Sequence, residues 1–151
     1  MKKILLLAAA FVFSFALRAQ TSPDAVAKFN TETYDFGKVP QGTPVTYYFQ
    51  IKNISKTALV VESATASCGC TVPEKPEAPI QPDSTAKMKV QYNAAAAAPF
   101  TKDIYVKLSG VDQMKTLHIT GEVLTADAYA AYLKEKANTP PVVVPKDKPK
   151  N

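Results

Sequence analysis

Apolar and polar residues alternate with a period of two along most of the chain, and this pattern limits the fold more than any other feature. It is clearest in residues 45–52, 86–92, 103–108 and 117–123. Such spacing is typical of a β-strand with one face in a hydrophobic core and the other in water. With shorter segments near Phe29 and at residues 34–36 and 59–66, the chain is expected to form about seven strands.

The connections between these segments are rich in turn residues and contain no helical pattern. They fall at residues 37–42, 53–56, 73–82 and 109–112. Because parallel neighbours need long crossovers, strands joined by short turns should pair mostly antiparallel and pack as two sheets. The predicted fold class is therefore all-β, an immunoglobulin-like antiparallel β-sandwich over residues 20–124, with a short C-terminal helix and a flexible tail.

The C-terminal region departs from the alternating pattern. Residues 125–138 are predicted to form the short helix, with Thr125 or Asp127 as N-cap and with two tyrosines and Leu133 as an apolar stripe that docks on the domain. Residues 139–151 mix prolines and lysines without periodicity, so a disordered tail is expected there.

The N-terminal residues 1–19 have the three parts of a secretory signal peptide. Lys2 and Lys3 precede an apolar run at residues 4–17 that is too short for a permanent membrane span, and Ala19 offers a small residue for cleavage. Since no cysteine lies near that position, we expect no lipid anchor. The mature chain is expected to be periplasmic or secreted, with no transmembrane segment.

Charge argues against a nucleic-acid partner. Three of the 18 basic residues lie in the signal. The remaining 15 basic residues and the 13 acidic residues give a net charge near +2. Much of that excess falls in the last residues of the chain, so no basic surface able to displace many counterions from DNA or RNA is implied.

The two cysteines, Cys68 and Cys70, are separated only by Gly69 at the end of a predicted strand. In an oxidising compartment they could form an easily reduced, redox-active disulfide. They could instead bind a soft metal, although no histidine or methionine lies nearby in sequence to complete the site. The interpretation we prefer is structural: one cysteine packs inward, and the other is a surface thiol or part of a local disulfide without turnover.

Three further motifs carry weaker signals. The alternation of Leu117, Ile119 and Val123 puts His118 on the solvent face of its strand. No pattern places an acid or a nucleophile near it, so an exposed polar residue is favoured over a general base. Residues 35–37 have the sequence Asp-Phe-Gly, as in kinases. The chain has none of the other kinase motifs, so these residues are interpreted as a strand end and turn. Asn53 begins a glycosylation sequon, which the bacterial style of the signal makes an improbable site of modification.

Aromatic residues on the outer side of predicted strands are candidate binding residues. Tyr47 is assigned inward, whereas Tyr48 and Tyr105 are assigned outward. Outward aromatic groups on a sheet can mark a binding surface, although single exposed tyrosines are also common.

The order of these motifs resembles a bacterial family, domain of unknown function 1573. The motifs are Tyr-Asp-Phe-Gly-Lys-Val at 34–39, Ala-Ser-Cys-Gly-Cys-Thr at 66–71, Ile-Gln-Pro at 80–82 and Ile-Thr-Gly-Glu-Val at 119–123. That family is similar to the immunoglobulin-like domains of ciliary and centrosomal proteins such as hydin. The resemblance implies a seven-stranded sandwich and an envelope or secreted location, and it implies no established activity. Asp83 departs from the glycine that the family often has there.

Together these features predict a non-catalytic, exported structural or interaction module that uses no cofactor and binds an unidentified protein or envelope component. The alternative function is that of a thiol redox protein, or of a soft-metal binder, acting through Cys68 and Cys70. The oligomeric state and the partner are left open.

Overall fold

The computed structural model describes residues 21–138, which form eight β-strands and one α-helix after a single 3₁₀ turn, Pro23–Ala25. The strands are β1 (Ala27–Phe29), β2 (Thr33–Pro40), β3 (Val45–Asn53), β4 (Val61–Ala66), β5 (Thr71–Glu74), β6 (Thr85–Tyr92), β7 (Pro99–Leu108) and β8 (Lys115–Leu124), and the helix is α1 (Ala126–Asn138). The predicted signal peptide at 1–19 and the predicted tail at 139–151 lie outside the described residues.

The strands form two four-stranded sheets, which confirms the predicted β-sandwich. Sheet A has the order β1-β3-β6-β5 and sheet B the order β2-β8-β7-β4. Every pairing is antiparallel except that of β2 with β8, which is parallel. Short turns constrain only strands that follow one another in sequence, so they leave the direction of this distant pair undetermined.

The strand that was not predicted from the sequence is β5, whose last two residues fall in the proline-rich stretch 73–82 assigned to a connection. Pro73 lies within this strand, opposite Val90 of β6. Since β5 forms the edge of sheet A, its outer side has no neighbouring strand, and a proline there need not interrupt a ladder of hydrogen bonds.

The core lies between the two sheets and consists of the inward residues that the alternation predicted. Each such side chain contributes about 1.5–3 kcal/mol when it leaves water completely. The fully buried positions include Phe49, Ile51, Met88 and Val90 of sheet A and Ile104, Val106, Leu108, Leu117 and Ile119 of sheet B.

The parallel pair of β2 and β8 depends on two glycines that meet at its centre. Gly37 has a φ of 66° at a bulge in β2, and its N–H donates a 2.8 Å hydrogen bond to Oδ1 of Asp35. A Cβ on Gly121 would lie only 2.8 Å from the carbonyl oxygen of Gly37 and 2.8 Å from Cζ of Phe100. Asp35, Phe36 and Gly37 therefore form a bulge, in the region where the sequence analysis expected a strand end and turn.

Asn53, the first residue of the sequon, is a buried structural residue. Its Nδ2 donates to the carbonyl oxygens of Thr57 at 2.8 Å and Ile80 at 2.7 Å. Its Oδ1 accepts from both the N–H and the hydroxyl of Ser55. Because the side chain is fully buried and both of its polar atoms are bonded, it is not accessible for glycosylation in the folded domain.

Lys115, at the start of β8, anchors the short strand β1 through two ion pairs. Its Nζ lies 2.7 Å from a carboxylate oxygen of Asp24, before β1, and 2.5 Å from one of Glu32, after it. Burial alone would lower the pKa of this ammonium, but the hydrogen bonds to the two carboxylates outweigh burial and raise the pKa above its usual value. The three-residue strand is thus held on both sides.

The helix α1 follows sheet B and lies against β2 and β8. The hydroxyl of Thr125 accepts from the N–H of Ala128 at 3.4 Å, so Thr125 is the N-cap. The helix packs less closely on the domain than its predicted apolar stripe suggested, because Leu133 is 48% exposed. Nζ of Lys38 lies 5.0 Å from the centre of the Tyr132 ring. Among residues 21–138, no helix has the length and apolar character needed to cross a bilayer.

Gly121→Ala tests the junction of β2 and β8. Because the added Cβ would overlap both a backbone carbonyl and a packed ring, we expect a loss of about 1–3 kcal/mol in the free energy of unfolding, measured by urea denaturation. Gly69→Ala is the matched control, since a Cβ at Gly69 meets no atom within 4 Å. Equal stability of the two variants would contradict the proposed close approach.

Candidate functional site

Cys68 and Cys70 form a disulfide, with their Cα atoms 5.4 Å apart. The bond lies in the loop that carries the chain from β4, at the edge of sheet B, to β5, at the edge of sheet A. It therefore joins neighbouring residues of a crossover and does not link the two sheets directly. In this disulfide form neither sulfur is a thiolate that could bind a soft metal.

Backbone hydrogen bonds hold the disulfide loop to both sheets. The N–H of Ser67 donates to the carbonyl of Asp103 in β7 at 2.9 Å, and the N–H of Asn93, after β6, donates to the carbonyl of Cys70 at 3.0 Å. Asp103 in turn donates its N–H to the hydroxyl of Ser67 at 3.1 Å. The crossover is thus anchored by non-covalent contacts on either side of the disulfide.

The two sulfurs differ in their surroundings although both cysteines are half-buried. Cys70 packs against the core, whereas Gly69 between them is exposed. The hydroxyl of the buried Thr71 lies 3.8 Å from Sγ of Cys68 and 4.0 Å from Sγ of Cys70. One cysteine therefore contributes to the core, as the structural interpretation expected, and the bond borders solvent at Gly69.

His118 has an acidic neighbour that the sequence analysis missed. It lies opposite Asp103 on the adjacent strand, and Nδ1 of His118 is 2.8 Å from Oδ1 of Asp103. The hydroxyl of Tyr105 donates to Oδ2 of the same carboxylate at 3.3 Å. The cluster lies on the outer face of sheet B, where Tyr105 is outward as predicted but only half-exposed. Strand register, which alternation alone does not give, brings these three side chains together.

The outer face of sheet A carries a second cluster, centred on the other candidate binding residue. Tyr48 is 50% exposed in the middle of β3. Four lysines share this side of the sheet, and we call the surface they form with the tyrosine the lysine face; its members are Lys28, Lys52, Lys87, Lys89 and Tyr48. In the sequence each of these lysines is an ordinary solvent-facing residue of its strand, so within the lysine face only Tyr48 was predicted as a binding residue.

Two of these lysines are paired with carboxylates. Nζ of Lys89 lies 2.9 Å from Oε1 of Glu74, and this hydrogen bond is the main reason that the pKa of Lys89 is raised. Lys52 is 3.9 Å from an oxygen of Asp83, whose side chain is 93% exposed. Within residues 21–138, Lys28 and Lys87 form no ion pair.

A small groove of about 180 Å³ opens between β1 and β3 on the lysine face. Lys28 and Lys52 line it together with the polar side chains of Asn30, Gln50 and Thr85. A larger groove of about 440 Å³ lies beside Gly37 and Gly121 on sheet B. The larger groove forms where the two adjoining glycines have no side chains. The smaller groove lies on the same face as the exposed Tyr48, so it is the better candidate for binding.

Comparison with known proteins places the chain in a family. The model of the family described as "Protein of unknown function (DUF1573)" matches residues 27–123, which contain all eight strands except the last residue of β8. The chain therefore belongs to this family, and the resemblance drawn from its motifs is confirmed. No curated protein sequence matches the chain.

Solved structures show the fold of the chain. A protein of unknown function from Porphyromonas gingivalis W83 has a TM-score of 0.57 and 13% identity, with 65% of this chain and 46% of that chain covered. The ASH/PapD-like domain of human CEP192 has a TM-score of 0.55 and 9% identity, with 76% and 96% covered. The VesB protease of Vibrio cholerae has a TM-score of 0.53 and 13% identity, with 66% and 32% covered. These likenesses confirm the predicted immunoglobulin-like fold.

Replacing both cysteines by serine tests what the disulfide contributes to stability. The bond closes a ring of only three residues, so it restricts the unfolded chain little, and we expect a loss of about 1–2 kcal/mol in the free energy of unfolding. Urea denaturation of Cys68→Ser/Cys70→Ser and of the reduced wild-type protein should agree. A loss of more than about 4 kcal/mol in both samples would contradict this and identify the bond as a principal support of the fold.

Proposed function

We propose that this member of the DUF1573 family is an exported, non-catalytic module that binds another protein or component of the bacterial envelope through the outer face of sheet A. The observation that carries the proposal is the exposure of Tyr48 at the centre of the lysine face. Tyrosine is enriched at protein interfaces because it offers a large, rigid contact area with a polar tip.

A second apolar group widens this surface. Val72 of the edge strand β5 is 51% exposed and lies opposite Gln91 of β6, which in turn lies opposite Thr46 of β3. Since adjacent strands are about 4.8 Å apart and Tyr48 lies two residues along β3 from Thr46, Val72 and Tyr48 are about 12 Å apart. A partner that contacts both would cover three of the four strands of sheet A.

Two features support export. Residues 1–19 have the composition of a signal peptide. The disulfide of Cys68 and Cys70 is of the kind that forms and persists in the periplasm or outside the cell, and that is rare in a reducing cytoplasm.

Site-specific photocrosslinking in the producing bacterium tests this proposal. A photoreactive phenylalanine analogue in place of Tyr48 should give a covalent adduct in the envelope or medium fraction, and the wild-type domain added in excess should reduce its yield. The matched control replaces Thr116, a half-exposed residue on the outer face of sheet B. Adducts of equal yield at both positions, or at neither, would exclude a binding role for this face.

A thiol redox function is the second candidate, and the observed disulfide beside solvent favours it. An incoming thiolate would attack Sγ of Cys68, form a mixed disulfide and release Cys70 as the thiolate. A second thiolate from the same reductant would then break the mixed disulfide and leave the reductant oxidised. Exposed disulfides exchange in this way more readily than buried ones.

Equilibration of the protein in glutathione redox buffers, followed by alkylation and intact-mass measurement, tests the redox function. A redox role predicts a reduction potential of about −200 mV, in the range of thiol-disulfide exchange proteins. A potential below about −300 mV would identify a purely structural bond and remove this second candidate. Cys68→Ser/Cys70→Ser serves as the unreactive control.

A further inference from the structure

We propose that the lysine face binds an extended, acidic segment of a partner protein. The inference rests on the proposed function of this face and specifies the chemistry of the partner.

Two lysines of the lysine face lie where their like charges lower the stability of the sheet. Lys28 of β1 lies directly opposite Lys52 of β3 in the antiparallel register. Like charges in this position repel one another and destabilise a strand pair. Lys87 adds to the repulsion, since it lies opposite Gln50, two residues from Lys52. An anionic partner would relieve this repulsion on binding.

The second observation is that the charge is local to one sheet. Residues 21–138 contain twelve lysines and twelve acidic residues, so the described domain is neutral. The strands of sheet A nevertheless carry four lysines and a single carboxylate, Glu74, whereas those of sheet B carry four lysines and four carboxylates. With Asp83, which lies 3.9 Å from Lys52 in the turn before β6, the outer face of sheet A has four lysines and two carboxylates. It therefore keeps an excess of about two positive charges, which favours a partner of opposite sign.

The third observation is the groove between Lys28 and Lys52. It has room for a carboxylate group, and Asn30, Gln50 and Thr85 line it with further polar atoms. The amide of Asn30 is fixed from both ends, since Nδ2 donates to the hydroxyl of Tyr47 at 2.7 Å and Oδ1 accepts from the N–H of Gln50 at 2.8 Å. One wall of the groove is therefore held in position before an anion binds.

The spacing of the groups favours a polypeptide as the source of the anions. Lys87 and Lys89 lie on one face of β6, two residues and thus about 6.6 Å apart. In an extended peptide, side chains on one face repeat at the same interval. Tyr48 and Val72 offer apolar contacts that alternate side chains of such a peptide can cover.

Fluorescence anisotropy with a labelled twelve-residue peptide of alternating glutamate and threonine tests the inference. The wild-type domain should bind this peptide at low salt, with an affinity that falls as salt is added. The same peptide with glutamine in place of glutamate should not bind. Equal binding of the two peptides would overturn the acidic specificity.

Charge reversal at the groove provides the decisive variant. Lys28→Glu/Lys52→Glu should weaken peptide binding about tenfold or more, because it replaces two attractive charges by repulsive ones. Lys134→Glu/Lys136→Glu, on exposed positions of α1, makes the same change in net charge and should alter affinity by less than about twofold. Equal loss in both variants would show that only net charge matters and would overturn the site.

The single variant Lys28→Glu separates binding from folding. It places opposite charges across the pair of β1 and β3, so its urea midpoint should rise while its affinity for the peptide falls. Vesicles with anionic lipid and the acidic polysaccharide polygalacturonate are tested in parallel. Tighter binding of either, with the same dependence on Lys28 and Lys52, would overturn the assignment of a protein partner.

Crosslinking at Tyr48 distinguishes failure of this inference from failure of the proposed function. Acidic recognition predicts that Lys28→Glu/Lys52→Glu removes the adduct formed at Tyr48. An adduct that persists in this variant would overturn the acidic partner and leave the binding role of the face intact. Absence of the adduct from the domain that carries the analogue at position 48 and keeps Lys28 and Lys52 would remove both.

Discussion

The structure depends on the burial of alternate side chains between two pleated sheets. Once Phe49, Ile51 and Met88 of sheet A pack against Ile104 and the neighbouring apolar residues of sheet B, the intervening residues must face solvent. The lysine face and the cluster of His118 on the opposite side follow from this requirement. Each is the outer side of a strand whose inner side forms the core.

The motifs that identify the family have structural explanations in this chain. The Asp-Phe-Gly bulge and the Ile-Thr-Gly segment meet where Gly121 lies against the carbonyl of Gly37, so the parallel pair of β2 and β8 depends on both. The Ser-Cys-Gly-Cys-Thr segment forms the crossover from sheet B to sheet A, with Ser67 bonded to β7. These motifs thus lie at the points where the chain departs from simple antiparallel strands.

The sequence predicted the core well because alternation depends only on neighbouring residues. It placed Tyr48 on an outer face for the same reason. It could not predict the strand register, and so it missed both the contact of Asp103 with His118 and the opposition of Lys28 to Lys52. It also missed β5, because Pro73 is tolerated there only by virtue of the edge position, which is a property of the assembled sheet.

Amide hydrogen exchange followed by NMR tests the packed two-sheet core most directly, since protection reports the free energy of opening at each residue. The account predicts that the central strands β3, β6, β7 and β8 exchange slowest and together, at the free energy of global unfolding. It also predicts earlier exchange in the edge strands β1 and β5. Slow, uniform protection confined to one sheet, with the other exchanging as readily as an unfolded chain, would contradict a single shared core.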